Sequence, residues 1–350
     1  MKRILYLFVA VLFATSAMAQ PQSDIRTATL VHGDQTTVYY GVSAFADAYN
    51  AAADIGDVII LSPGVFNSQT TYTIKKSLTI YGCGYSNNEA TGSATTTLPS
   101  ISISFNKVTD EENNIVAEYP TVHIEGCYIN GLFQVVENNI DGALVNSVID
   151  NLCMRKCNCN DVQLNAPTKN TKFIQCYIGN FGYYDSWRGI HHGFTTKQDL
   201  LNVENCVIKY GGGCTYIDSS MSYNHCIIGT VANEGYAHFT NSIAFANSFP
   251  TNCTAYNNIL YATSLGSNVT GEGNYVGLTE SDVFEGEGYY VMKTPDVHVG
   301  TDGTQIGIYG GAYPFDRNSS IPKITSSNID IQTATDGKLN VSITVKAQTK

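Results

Sequence analysis

The sequence predicts an all-β chain wound as a solenoid of short parallel strands, with a short helix at its N-terminal end. Two observations carry this. Seven blocks place an apolar pair directly after Cys, Ser or Asn: Cys127-Tyr128-Ile129, Ser147-Val148-Ile149, Cys176-Tyr177-Ile178, Cys206-Val207-Ile208, Cys226-Ile227-Ile228, Ser242-Ile243-Ala244 and Asn258-Ile259-Leu260. Their starts are 20, 29, 30, 20, 16 and 16 residues apart, and Asn274-Tyr275-Val276 follows after another 16. A core position that recurs while the intervening loop changes length marks stacked units that bury their apolar faces only against one another. The spacing is also too short for helical crossovers between parallel strands, so turns alone must return the chain.

The elements follow in chain order. Met1-Lys2-Arg3, the apolar run from Ile4 to Ala14 and Ala17-Met18-Ala19 read as a secretory signal peptide over residues 1–19. No Cys follows that site at once, so no lipid anchor is expected, and the product is expected in the periplasm or outside the cell. Removing Lys2 and Arg3 takes the formal charge from −11 to −13. An acidic chain disfavours nucleic acid and anionic lipid as partners. No later stretch reaches the length of about 20 apolar residues needed to span a membrane.

A lead-in carries a strand at Thr37 to Tyr40. Val42 to Ala53 has apolar residues at helical spacing and stops before Gly56, a helix that would cap the first coil. Gly56-Asp57-Val58-Ile59-Ile60-Leu61-Ser62-Pro63-Gly64-Val65-Phe66 reads as strand, turn and strand, and Lys76 to Gly84 as the next strand with a glycine turn. Here the chain resembles the right-handed single-stranded parallel β-helix proteins of the pectin-lyase-like superfamily, of the kind secreted by Bacteroidetes. The resemblance runs over roughly residues 37–316 and implies the fold without implying a chemistry. It makes residues 20–316 a β-helix domain. Gly300 to Gly311 resembles the closing coil of such proteins, and residues 317–350 read as an extended C-terminal tail.

Asn146, Asn205, Asn224, Asn241, Asn257 and Asn258 precede or enter the repeated strands, where amides can bond along the stack. Cys127, Cys176, Cys206 and Cys226 share one register and read as small buried fillers. Cys153, Cys157 and Cys159 lie close enough to suggest a metal, but no His accompanies them and the spacing is not a paired C-x-x-C. A local disulfide or turn-packing thiols are expected there, with no metal and no cofactor.

The candidate site is the loop after Cys176, where Tyr183, Tyr184, Asp185, Trp187, Arg188, His191 and His192 gather aromatic, cationic and acidic groups, with the only Trp of the chain. Aromatic rings stack on sugar faces while Arg, His and Asp bond hydroxyls, so carbohydrate is the expected partner. The catalytic alternative draws on Asp185, Arg188, His192, Lys209 and Asp218, with Asp161 and Asp199 nearby. The resemblance implies how such enzymes work. Its hydrolases use an adjacent Asp pair, which this sequence lacks; only His192-Gly193 is similar to their histidine motif. Its lyases hold Ca²⁺ on several Asp beside an Arg base, and their Arg-x-Pro-x-x-Arg pattern is missing here. The expected function is therefore an exported β-helix that binds a glycan or cell-surface polysaccharide. A polysaccharide lyase or glycoside hydrolase, with Ca²⁺ if a lyase, is the first alternative, and a structural or adhesive surface protein the second.

Overall fold

The computed structural model describes residues 26–87, 94–109, 111–137, 139–144, 147–185, 188, 190–232, 235–246, 248–286, 290–321, 323–329 and 341–346. The predicted signal peptide lies outside them. The chain is mostly β, dominated by two long sheets of parallel strands. The first sheet adds Ser77–Tyr81, Val122–Glu125, Cys153–Arg155, Lys172–Ile174, Leu201–Glu204 and so on to Thr254–Tyr256. The second runs from Gly64–Val65 through Tyr128–Val135, Asn158–Leu164 and Tyr177–Phe181 to Tyr275–Val276. The chain visits the two alternately. A short third sheet pairs Ile149–Asp150, Thr168–Lys169 and Gln198–Asp199, also in parallel.

Between the first and second sheets the chain turns at one residue held at positive φ: Gly126, Lys156, Gln175, Asn205, His225, Asn241, Asn257 and Gly273. The residue after each turn defines a file. Asn158, Tyr177, Val207, Ile227, Ile243, Ile259 and Tyr275 donate their backbone N–H to the carbonyls of Cys127, Cys157, Cys176, Cys206, Cys226, Ser242 and Asn258 in that order. Cys127, Cys176, Cys206 and Cys226 therefore stand in one line, as expected. Cys157 completes it, and Ser147 does not belong: Ile149, two residues on, lies in the third sheet.

The chemistry of the file explains why Cys, Ser and Asn exchange there. The Cys206 Sγ accepts from Cys176 N at 3.3 Å, the Ser242 Oγ from Cys226 N at 3.0 Å and the Asn258 Oδ1 from Ser242 N at 2.9 Å. In the other direction the thiols of Cys157, Cys176, Cys206 and Cys226 donate to carbonyls of the preceding strand and of their own. A small side chain with one donor and one acceptor satisfies a buried corner. All ten cysteines are free, so of the two expectations for Cys153, Cys157 and Cys159 the disulfide is corrected and packing thiols stand: Cys157 is a rung of the file, and Cys159 takes the core position of Ile129 and Ile178.

The second apolar residue of each block enters the main core. The first points the other way. Val207, Ile227, Ile243 and Ile259 nevertheless stay buried because Val283, Phe284, Met292, Ile306, Ile308 and Phe315 pack over them. The segment expected as a closing coil is thus a strap. Gly300 to Gly311 holds no strand, and from Val299 to Ser319 the chain runs back along the turn residues. Asn257 Nδ2 donates to Val299 O, Asn241 exchanges bonds with Thr301, and Asn205 Nδ2 donates to Ile308 O and Gly310 O at 2.9 and 2.7 Å. Gln175 Nε2 donates to Pro314 O, Lys156 Nζ meets Asp316, and Ser319 Oγ donates to Gly82 O at 2.8 Å. The amides of Asn205 and Asn257 therefore serve the strap, Asn241 serves the strap and also donates to Asn224 Oδ1 along the stack at 3.1 Å, and Asn258 and Asn274 bond along the stack. The Gly310-Gly311 pair is needed because a Cβ on either would lie within 2.7 Å of the His225 ring.

At the other end α1 (Ala44–Ala51) buries Ala44, Phe45 and Ala48, with Phe45 edge-on to Tyr72 at 4.7 Å. Lys76 Nζ caps its last carbonyls at Tyr49, Asn50 and Ala52. Gly56 is not its stop; at φ +91° it sits in a bulge of the strand Ile55–Leu61. The lead-in is a full hairpin, Thr27–His32 with Gln35–Tyr40, antiparallel to the rest.

Candidate functional site

The loop after Cys176 leaves the second sheet at Phe181 and folds as a hairpin, Tyr183–Asp185 against Ile190–His192. Its foot is a stack of glycines. A Cβ on Gly182 would lie 2.3 Å from His192 O, one on Gly193 2.0 Å from Gly213 O, and one on Gly213 2.9 Å from Gly235 C. Gly212-Gly213 is thus a place of close backbone approach, which only glycine permits. The hairpin register puts Tyr183 opposite His192, and their rings stack at 6.1 Å and 28° with Tyr183 53% exposed. Tyr184, Asp185 and His191 lie in the paired strands, Arg188 is exposed at the tip, and Trp187 lies outside the described residues.

Six residues past His192 the chain enters the third sheet at Gln198–Asp199. In-register pairing makes a row of Asp150, Lys169 and Asp199 on successive strands. Asp150 accepts from Asn170 Nδ2 and Asp199 from Ser220 Oγ, both at 2.9 Å. Asn151, Asn170 and Leu200 follow at positive φ, tight corners that hold the row in register. Ser219 and Ser220 continue it, since Ser219 Oγ accepts from Gln198 N and Ser220 N donates to Gln198 O. Asp218 precedes them in an exposed turn.

The candidate residues divide accordingly. Tyr183 and His192 meet, and Asp199 and Asp218 belong to neighbouring turns of one face. Lys209 stands apart on the second sheet, exposed, with its ammonium 5.1 Å from the Tyr210 ring centroid. Asp161 is on that sheet as well and accepts from Asn180. Asp150 and Lys169 were not singled out from the sequence, because the third sheet has two-residue strands with no hydrophobic period to betray the pairing. The signal that could have found them is Asp150-Asn151 before Cys153–Arg155 and Lys169-Asn170 before Lys172–Ile174, a charged residue and then Asn at the same place in successive coils. Among the described residues no group of three or more His, Cys, Asp or Glu is placed to hold a metal ion, and no helix is long and apolar enough to cross a membrane.

An acid–base–acid row can bond hydroxyls along a chain-like ligand, and an exposed aromatic stack, six residues before Gln198 in the chain, can stack on a ring. Comparison with known protein families, curated proteins and solved structures finds no match for this chain.

Proposed function

We propose that this chain is an exported, right-handed single-stranded parallel β-helix of the pectin-lyase-like kind that binds carbohydrate, a glycan or a cell-surface polysaccharide, at the hairpin and the third sheet. The observation that carries the reading is the exposed Tyr183 ring stacked on His192. A stacked pair presents a flat, pre-ordered apolar face beside polar groups, the combination that sugar rings require. Binding to a polysaccharide array, measured with the wild type and with Tyr183→Ala, tests it. Loss of binding on substitution supports the site, and equal binding by both proteins rejects it.

One observation favours a catalytic second reading. Asp150 and Asp199 stand two strands apart with Lys169 between. Two strand spacings set their backbones about 9.6 Å apart, so side chains leaning toward each other would bring the carboxyl groups into the range of about 6.5–9.5 Å at which paired carboxylates invert glycosides. Release of reducing ends from bound polysaccharides, abolished by Asp199→Asn, is the outcome this reading requires.

A further inference from the structure

The outer face of the first sheet carries a second polar cluster, far in sequence from the hairpin. The register places Tyr81 beside Glu125 and Glu125 beside Arg155, with His123 in the next column and Cys153 beside His123. Glu125 is 3% exposed, and its Oε1 has no hydrogen-bond partner among the described residues. The same holds for His123 Nε2 and Arg155 Nε. His123 Nε2 lies 3.7 Å from Glu125 Oε2, too long for a hydrogen bond. Tyr81 closes the group, its ring 5.9 Å from that of His123 at 61°.

Buried polar atoms in native proteins are satisfied by protein, by ordered water or by something else bound. Here one carboxylate oxygen, one guanidinium nitrogen and one imidazole nitrogen are left over on adjacent strands of one face. Tyr81, His123 and Arg155 are partly exposed and form the rim, with Glu125 as the floor. Burial holds the His123 imidazole below its ordinary range, with Glu125 opposing and Arg155 adding to the effect.

We propose that Tyr81, His123, Glu125 and Arg155 form a second ligand site, for a neutral hydroxyl-bearing molecule such as a single sugar or polyol unit. A hydroxyl donates to Glu125 Oε1 and accepts from Arg155 Nε, so one group answers both. A carboxylate ligand would meet the Glu125 charge at the floor, and an ammonium would meet Arg155. This site is separate from the glycan reading of the hairpin and stands if that reading fails.

The test is a titration of the full chain with glucose, galactose and glycerol, and with galacturonate as the charged arm, read by the His123 ring resonances in NMR. The expected result is a saturable His123 shift with at least one neutral ligand and affinity at least tenfold weaker for galacturonate. Glu125→Gln and Arg155→Lys should each weaken binding about tenfold, one hydrogen bond's worth. Tyr183→Ala should leave it unchanged. No saturable shift with any neutral ligand overturns the proposal. So does binding that survives in both variants while their circular dichroism is native.

Discussion

Lys156 Nζ lies 3.3 Å from Asp316 Oδ2, an ion pair across 160 positions that ties the C-terminal strap to the second turn of the file. The Lys156 side chain is only 2% exposed and Asp316 38%. Removing the acid strands a buried ammonium. Asp316→Ala should destabilise the fold by about 2 kcal/mol, less than for a fully buried pair because Asp316 is part solvated. Adding Lys156→Met should recover most of the loss. Urea unfolding of the four proteins of this cycle measures it.

Asn241 joins two demands, φ at +54° and paired bonds with Thr301. Asn241→Ala should cost about 2–3 kcal/mol, from two hydrogen bonds and the left-handed backbone. Asn241→Gly should cost about 1 kcal/mol less, since glycine accepts that backbone. Equal losses in thermal or chemical unfolding would remove the backbone part of the explanation.

Stability should fall with acid in two stages. Burial lowers His298 and is the largest cause at His123, so both stay neutral in the fold below 6.5, where they protonate in the unfolded chain. The unfolded state then binds more protons, and stability present above pH 6.5 declines as pH drops. Burial raises Asp302, but bonds from Thr304 and from His225 outweigh it and the carboxyl ends below its ordinary 3.8. Its contribution is present above that value and lost as pH falls through the lower folded one. Unfolding midpoints measured from pH 8 to pH 3 should be flat above about pH 6.5 and fall below it; a rise on acidification contradicts the assignment.

Thiol reactivity separates the file from a disulfide framework. Burial raises the Cys127, Cys157, Cys159, Cys206 and Cys226 thiols well above their ordinary range and Cys153 to about 11, so thiolate is scarce in the fold. The native protein should react with an aromatic disulfide reagent at no more than the two partly exposed sites, Cys83 and Cys153, and the unreduced, unfolded chain at all ten. Fewer than ten on unfolding would reveal a bridge.

The recurrence of Cys, Ser or Asn before an apolar pair was enough to read the stacked file, because the corner chemistry is local. What hid Cys157 was its own rung: Cys159 replaces the usual Ile and Asn158 the outer apolar residue, so Cys157-Asn158-Cys159 looks like a thiol cluster. Ser147 took its place in the count because Ile149 is also buried, though in the third sheet. The strap was beyond reach of pattern reading, since its bonds to Asn205, His225 and Asn241 span tens of residues and use turn backbone. The apolar pairs themselves have the same origin: Val207, Ile227, Ile243 and Ile259 are apolar because Val283, Phe284 and Met292, together with Ile306, Ile308 and Phe315 of the strap, cover them. At the site, the aromatic and charged loop was legible by composition, whereas the Asp150, Lys169 and Asp199 row depends on a register that only coordinates supply.

The central claim is that Cys127, Cys157, Cys176, Cys206 and Cys226 form one continuous line along the stack. Sulfur anomalous diffraction from crystals of the protein measures those positions directly. The prediction is five sulfur peaks in a row at steps of about 4.8 Å, with Cys157 between Cys127 and Cys176. A row with no sulfur peak between those of Cys127 and Cys176 would contradict it.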